Sequence, residues 1–231
     1  TGQNVFWEFA VHRPPFNDKR ARLAVGHATD PATAIDLIYG DLSIPEACPV
    51  SRGVFGNDQE FCKKYRPDYD PEKAKALLAE MGFGEDNPLE TALIVWTGGN
   101  RQKLAEIFQA QLAEVNIKAE IEIMDIGSMN ARVRQENENK SGTKGSMDMM
   151  TWSWYDPDIL YALWHTPGAY RGYTTPELDK LLEETRVLSD PADRKAVVQE
   201  VFKHLLENGV HIPLYTPGWE WVFAVLSLIH I

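Results

Sequence analysis

The sequence has few cysteines, a deficit of positive charge and no long hydrophobic run, and these shortages exclude several classes of protein. With two cysteines in 231 residues, the fold must rest on an apolar core, which a chain of this length can bury. The 23 Lys and Arg residues against 34 Asp and Glu residues argue against a nucleic-acid partner. The longest apolar run, residues 222–229, is interrupted by Ser227 and falls short of the roughly 18 residues of a membrane-spanning helix.

Motifs for metal, nucleotide and acyl chemistry are also missing. The histidines are dispersed, without the spacing of a zinc site; they are His12, His27, His165, His204, His211 and His230. No Gly-Lys-Ser/Thr phosphate loop and no Gly-x-Ser-x-Gly elbow occurs, and Gly98-Gly99 lacks the spacing of a dinucleotide fingerprint. The sequence therefore predicts no metal and no cofactor. Carboxylates are abundant, so a hydrolase that uses two of them stays open.

Helix starts are the clearest positive signal. A capping residue followed by proline occurs five times: Asp30-Pro31, Asp70-Pro71, Asp156-Pro157, Thr175-Pro176 and Asp190-Pro191. Such a side chain accepts the free N–H groups of the first turn, and proline at the first helical position loses no hydrogen bond. Apolar residues at helical spacing follow Asp70 and Asp190, and Gly82 stands where the first of these helices needs a left-handed residue. Both segments and residues 100–115 are predicted to be helices.

A strand-helix-strand unit is predicted around residues 100–115. Residues 91–96 have the pattern of a buried strand, and residues 119–124 alternate as a half-buried one. Because such a crossover places its strands parallel, the predicted fold class is α/β, with a mixed, largely parallel sheet flanked by helices. Residues 148–154 supply a third strand. Three extended segments are predicted to lie outside this block: residues 5–11, 211–215 and 219–224.

Aromatic residues cluster after the third predicted strand and mark the candidate ligand site. Parallel sheets bind ligands beyond the carboxyl ends of their strands, and rings with N–H or O–H donors suit such a site. The predicted ligand-binding residues are Trp152, Trp154, Tyr155, Asp156 and Trp96. The alternative for these rings is that they fill the core. Asp156 is expected to act first as a helix N-cap, and Trp164, Trp219 and Trp221 are assigned to the core.

Seven segments carry a resemblance through their order along the chain. They are residues 14–22 (PPFNDKRAR), 69–82 (YDPEKAKALLAEMG), 105–112 (AEIFQAQL) with Ile117 and Lys118, 152–157 (WSWYDP), 172–179 (GYTTPELD), 190–194 (DPADR) and 212–215 (IPLY). Each alone is a helix cap or an apolar stripe. In this order they resemble the extracytoplasmic solute-binding proteins of ABC importers, peptide/nickel class (family 5).

The resemblance implies a lobe of the type II periplasmic-binding-protein fold, namely the C-terminal lobe of a receptor that closes around a solute. Because the chain begins at Thr1, it is expected to be a fragment. Residues 1–14 would cross from the N-terminal lobe, 15–210 would form this lobe, 211–225 would cross back, and 226–231 would be a non-native tail. The resemblance further implies no enzymatic turnover, permease subunits of the inner membrane as partners, and a periplasmic location, or an extracellular, lipid-anchored one in a single-membrane bacterium.

Cys48 and Cys62 flank a loop rich in proline, glycine and asparagine. From the residues alone, a disulfide in an oxidising compartment and two unpaired thiols in the cytosol are equally good interpretations. The resemblance to an extracytoplasmic family favours the disulfide.

The ligand stays open between an oligopeptide and an oligosaccharide. Peptide receptors of this family carry an acidic residue between the Trp of the 152–157 segment and the following Asp-Pro, whereas here Ser153, Trp154 and Tyr155 fill a shorter interval. Unless Asp156 takes the place of that acidic residue, the chain has lost the carboxylate that binds the amino group of a peptide. The additional aromatic rings of Trp154 and Tyr155 are suited to stacking on sugar rings. A carbohydrate-active hydrolase that uses cleft carboxylates and a nickel-chelate receptor also stay open.

Overall fold

The structure, a computed structural model, describes residues 2–140, 142, 144–166, 170 and 172–217. The helices are α1 (Lys19–Ala28), α2 (Pro31–Tyr39), α3 (Gln59–Cys62), α4 (Pro71–Ala79), α5 (Arg101–Glu114), α6 (Ile126–Glu138), α7 (Ile159–Trp164), α8 (Pro176–Val187) and α9 (Pro191–Glu207). The strands are β1 (Gln3–Phe9), β2 (Ser43–Pro45), β3 (Leu89–Trp96), β4 (Ile117–Met124), β5 (Ser146–Ser153) and β6 (Ile212–Pro217). Among these residues, no helix has the length and apolar character to cross a membrane.

Four of the five predicted capping pairs begin helices. The side chains of the four capping residues accept N–H groups of the first turn, with proline at the start of each helix; they are Asp30, Asp70, Thr175 and Asp190. After α4, Gly82 has a φ of 84°, the left-handed conformation that glycine adopts without a Cβ clash. These helix boundaries are therefore set by local hydrogen bonding, as predicted.

The six strands form one mixed sheet in the order β2-β6-β1-β5-β3-β4. The predicted strand-helix-strand unit is confirmed, since β3 and β4 pair in parallel on either side of α5. The β3–β5 pair is also parallel, whereas β1–β5, β1–β6 and β2–β6 are antiparallel. The sheet is thus mixed, as predicted, but its antiparallel share is larger than predicted.

The predicted position of the extended segments 5–11 and 211–215 outside the sheet is wrong, because most of each segment lies within it, in β1 and β6. Strand β1 pairs with β5 from Gln3 to Phe9 on one edge and with β6 on the other. Its residues after Gln3 are all buried, because side chains cover both faces of a central strand. Residues 219–224, with Trp219 and Trp221, lie outside the described residues, as does the expected tail.

The core fills both faces of the sheet. On one face Trp7 meets Phe108 of α5 edge-on, with ring centroids 5.1 Å apart. On the other face Phe6 stacks on His211 at 3.6 Å, next to Trp164. Trp164 is fully buried, which confirms its assignment to the core.

Cys48 and Cys62 form a disulfide, with Cα atoms 5.2 Å apart. Both residues are fully buried. The bond closes the irregular loop between β2 and α3, whose backbone has little regular hydrogen bonding of its own. This arrangement agrees with the disulfide that the resemblance favours.

The variant Cys48→Ala/Cys62→Ala is expected to lose about 3 kcal/mol of unfolding free energy, because a bond that closes a loop of about 15 residues restricts the unfolded chain by that amount. Urea denaturation of the wild type and the variant, each with and without a reductant, measures the effect. The reductant should lower the wild-type midpoint and leave the variant unchanged. An unchanged wild-type midpoint would contradict the stabilising role.

Candidate functional site

A cleft of about 580 Å³ opens at the carboxyl ends of β3 and β5. Its lining mixes two indole rings with apolar and short polar side chains: Trp96, Thr97, Asp125, Ile126, Asn130, Met150, Thr151 and Trp152. These residues come from the ends of three strands and from the first turns of α6. This position agrees with the general placement of ligand sites in α/β sheets.

The cleft exists because β3 and β5 separate toward their carboxyl ends. Their parallel ladder ends at the Ile94–Asp148 pair, although β3 continues to Trp96 and β5 to Ser153. On its other edge β5 stays paired with β1 as far as Ser153. Beyond Asp148, one edge of the β5 main chain therefore borders the cleft instead of a neighbouring strand.

Trp152 is the central aromatic residue of the cleft. Its half-buried ring meets Tyr170 edge-on at 5.6 Å, and the Tyr170 hydroxyl donates to Oδ1 of Asn130. Burial, and then the nearby carboxyl group of Glu8, raise the pKa of Tyr170, so its hydroxyl stays protonated. The buried Nε1 of Trp152 has no hydrogen-bond partner in the described part of the chain. Tyr170 therefore fixes the Trp152 ring by an edge contact, and the Nε1–H group of Trp152 stays available to donate a hydrogen bond to a ligand.

Trp96 lies across the cleft at the end of β3. The guanidinium carbon of Arg101 lies 4.3 Å from its ring centroid, which is a cation–π contact. Arg101 thus covers part of the ring and fixes its orientation. The structure brings together Trp96 and Trp152, two of the five predicted ligand-binding residues.

Trp154 and Tyr155 do not line this cleft. Their exposed fractions are 54% and 77%, and the Trp154 ring borders a much smaller cavity near Gly2 and His211. The backbone N–H of Trp154 donates to the carbonyl of Gly2 at 2.9 Å, which extends the β1–β5 pairing beyond the strand ends. A ligand in the cleft would therefore reach Trp152 before it reached either of these rings.

Asp156 is not the N-cap that the sequence predicts. Helix α7 begins at Ile159 after Asp158, and Asp156 Oδ1 accepts the Asp158 N–H at 2.9 Å, before the helix. Its carboxylate also forms a two-pronged ion pair with Arg194 of α9, at 2.8 and 3.2 Å. Burial raises the pKa of Asp156, but the Arg194 and Asp158 hydrogen bonds and the Arg194 charge outweigh it and lower the pKa. The Asp156 carboxylate therefore links the segment before α7 to α9.

Asp125 and Asn130 are site residues that the sequence analysis missed. Asp125 is the N-cap of α6, with Oδ1 accepting the Ser128 N–H at 3.0 Å, and Asn130 lies one turn further. The sequence signal that could have identified Asp125 is a capping Asp directly after the predicted strand at 119–124, because this position is at the end of the sheet where ligands bind. Asp125 is the carboxylate among the described lining residues. In the part of the chain that the structure covers, no group of three or more His, Cys, Asp or Glu side chains could hold a metal.

The mixed sheet, its flanking helices and the cleft define a lobe of the type II periplasmic-binding-protein fold. The family model described as bacterial extracellular solute-binding proteins, family 5, middle region, matches residues 1–171. The chain therefore belongs to the family 5 bacterial extracellular solute-binding proteins, as the resemblance predicted.

Relatives of known name bind peptides or glutathione. The chain is 28% identical over 217 residues to di/tripeptide-binding protein 2 of Pseudomonas aeruginosa (strain UCBPP-PA14), covering 88% of this chain and 38% of that protein. It is 27% identical over 218 residues to the glutathione-binding protein GsiB of Escherichia coli (strain K12), covering 88% and 40%. The chain thus spans about two-fifths of these relatives.

Solved structures share the fold. HbpA2 from Haemophilus parasuis superposes with a TM-score of 0.81 at 25% identity, covering 94% of this chain and 43% of that one. The dipeptide-binding protein of Pseudoalteromonas sp. SM9913, in complex with Met-Leu, superposes with a TM-score of 0.80 at 20% identity, covering 93% and 43%.

Proposed function

We propose that this chain forms the C-terminal lobe of the solute-binding component of an ABC importer, and that the receptor captures a peptide in an interlobe cleft. The observation that carries the proposal is the open edge of β5 beyond Asp148, which borders the cleft next to Trp96 and Trp152. A strand edge presents N–H and C=O groups at the repeat of an extended peptide. The two rings and Met150 offer apolar contact to its side chains.

The open edge favours a peptide over an oligosaccharide. Sugars have no regular main-chain donors and acceptors to pair with a strand, whereas an extended peptide does. The named relatives, which bind di- and tripeptides or glutathione, also support a short peptide. Asp125 lines the cleft whereas Asp156 does not, so we assign Asp125 as the partner of a peptide amino group on this lobe. The oligosaccharide alternative has no such support, and we do not propose it.

The two predicted crossings gain support from the sheet. Because β1 and β6 run in opposite directions, the start of β1 at Gln3 and the end of β6 at Pro217 lie at the cleft end of the sheet. A second lobe connected through both would face the cleft directly. Closure of two lobes about such paired connections is a hinge motion.

The proposed function also implies a cellular location and partner proteins. The Cys48–Cys62 disulfide suits an oxidising compartment, and the family description is extracellular. We therefore place the protein in the periplasm, or outside the membrane of a single-membrane bacterium, with permease subunits as its partners.

The enzymatic alternative requires two carboxylates that face each other across the cleft. Asp125 is the carboxylate among the described residues of the lining, so the described lining offers no such pair. The named relatives are likewise binding proteins. We propose that the receptor binds and releases its solute without turnover.

In the full-length receptor, Trp152→Ala is expected to weaken peptide affinity about 10- to 100-fold, because a buried aromatic contact contributes roughly 1.5–3 kcal/mol. Titration calorimetry with di- to tetrapeptides and glutathione, chosen by a thermal-shift screen that includes oligosaccharides, measures the loss. The matched control is Trp154→Ala, which removes an exposed ring two residues away and should change affinity less than threefold or so. Equal losses in both variants, or tight binding of an oligosaccharide alone, would contradict the proposal.

A further inference from the structure

A second cleft, unrelated to the peptide site, collects positive charge on this acidic protein. It has a volume of about 620 Å³ and lies between α1, α4 and the segment that joins α3 to α4. Five cationic side chains and two carboxylates line it: Lys19, Lys63, Lys64, Arg66 and Lys73, with Asp68 and Glu207. This concentration stands against a net charge of −11 for the chain.

Most of these cations lack a carboxylate partner. Lys63 pairs with Glu60 at 2.8 Å, but within the described residues no carboxylate lies within salt-bridge distance of Lys19, Lys64 or Lys73. Arg66 donates to two main-chain carbonyls, from Nε to Pro213 at 3.0 Å and from Nη1 to Pro67 at 2.7 Å. Arg66 therefore keeps its charge uncompensated by a bonded carboxylate.

A buried imidazole completes the floor of the cleft. His27 is 4% exposed, and its Nδ1 contacts the carbonyl of Asp68 at 2.7 Å. A carbonyl accepts only, so Nδ1 carries the proton and the lone pair of the neutral ring is on Nε2. No partner for Nε2 occurs in the described ranges. With its N–H directed at Asp68, the neutral ring offers the cleft an acceptor and no N–H donor, so the positive charge in the cleft comes from the lysines and Arg66.

The cleft lies at the end of the sheet opposite the peptide site. Arg66 is anchored to Pro213 at the start of β6, and β6 runs from there toward the end where β3 and β5 separate. The two clefts share no lining residue. A ligand in this cleft is therefore separate from the transported solute.

We infer that this cleft binds a phosphate-bearing anion. Ammonium groups on flexible stems bind phosphate as point charges, and a guanidinium adds a directed donor. A clustered set of cations attracts a group with more than one negative charge more strongly than a single carboxylate. The phosphate comes either from a soluble molecule or from an anionic lipid headgroup at a membrane surface, and the experiment separates these sources.

The test uses the 231-residue chain. Calorimetry with inorganic phosphate and pyrophosphate at constant ionic strength probes the soluble source. Co-sedimentation with phosphatidylglycerol/phosphatidylcholine vesicles, compared with phosphatidylcholine alone, probes the lipid source. Binding in either arm supports the inference and identifies the source of the phosphate. Binding in neither arm overturns the inference. Binding of a polyglutamate peptide without binding in either arm also overturns it, because the cleft would then bind carboxylates and not phosphate.

Lys64→Glu/Lys73→Glu should weaken the observed binding at least about tenfold, since the loss of one charge-assisted hydrogen bond has an effect of that size. The matched control, Lys103→Glu/Lys195→Glu, makes the same charge change at exposed lysines of α5 and α9 and should leave it unchanged. The neutral variant Lys64→Gln/Lys73→Gln should fall between them. Equal losses of affinity in the cleft and control variants would show that the anion is attracted by the overall charge of the protein, and would overturn the proposal of a specific site. Because peptide affinity plays no part in this test, its failure is distinct from failure of the proposed function.

Discussion

Replacing His211 by glutamine is expected to remove much of the loss of stability that the wild-type protein suffers between pH 6.5 and pH 4. His211 is fully buried, and this burial lowers its pKa from 6.5 to about 3. Its Nε2–H donates to Oδ1 of Asn4 at 3.3 Å, and Nδ1 has no partner among the described residues. A second ring proton would therefore lie in the core without an acceptor.

The direction of the effect follows from proton linkage. Below pH 6.5 the unfolded chain takes up a proton at this histidine while the folded protein does not, so protonation favours unfolding. Each pH unit costs about 1.4 kcal/mol, or about 3 kcal/mol by pH 4. Above pH 6.5 the histidine is neutral in both states and contributes no pH dependence.

Urea denaturation at several pH values measures the slope of stability against pH. His211→Gln should flatten that slope by about one proton between pH 6 and pH 4. A residual slope is expected from other groups, including His27 and His204, whose pKa values burial also lowers. The control Phe16→Leu removes buried contact elsewhere in the core and should shift the whole curve downward without changing its slope. An unchanged slope in His211→Gln would refute the assignment.

The second large effect is expected at Glu46, a carboxylate that is 2% exposed. Replacing it by alanine should lower the unfolding free energy by about 4 kcal/mol. Both carboxylate oxygens accept hydrogen bonds from six groups: the N–H groups of Ala47, Cys48 and Arg52, the side-chain amides of Asn57 and Gln59, and the hydroxyl of Thr216. Removing the acceptor leaves several of these donors unpaired, and each unpaired buried donor costs about 1–3 kcal/mol.

Glu46 also ties the disulfide loop to the sheet, because Thr216 belongs to β6 while the other donors belong to residues 47–59. Thermal and urea denaturation of Glu46→Ala measure the loss. Glu85→Ala, at an exposed loop carboxylate, is the control and should stay within about 0.5 kcal/mol of wild type. A loss below about 1 kcal/mol in Glu46→Ala would show that water or a rearranged loop replaces the carboxylate.

Local chemistry explains what could be predicted of the fold. A capping side chain bonds to N–H groups two or three residues away, so Asp30, Asp70 and Asp190 mark helix starts wherever the segment packs. The β3-α5-β4 unit is also local, because a parallel crossover needs only a strand, a helix and the next strand. The extended segments near both ends were misplaced because their partners are distant. Gln3 pairs with Ser153, and Val5 with Tyr215.

The same distinction holds for the candidate site. The aromatic cluster after the third strand predicted the end of the sheet that holds the cleft, and Trp96 and Trp152 lie there. Asp156 forms an ion pair with Arg194, 38 residues away, so its carboxylate already has a partner on α9. No spacing along the chain announces such a pair.

The sequence alone determined the helix starts, the strand-helix-strand unit and the family, because each depends on contacts between near neighbours or on the order of short segments. Only the tertiary structure decided which strand edge stays open, which carboxylates are committed and where the lysines converge. These features depend on residues that are far apart in sequence and become neighbours when the sheet forms and its helices pack on it.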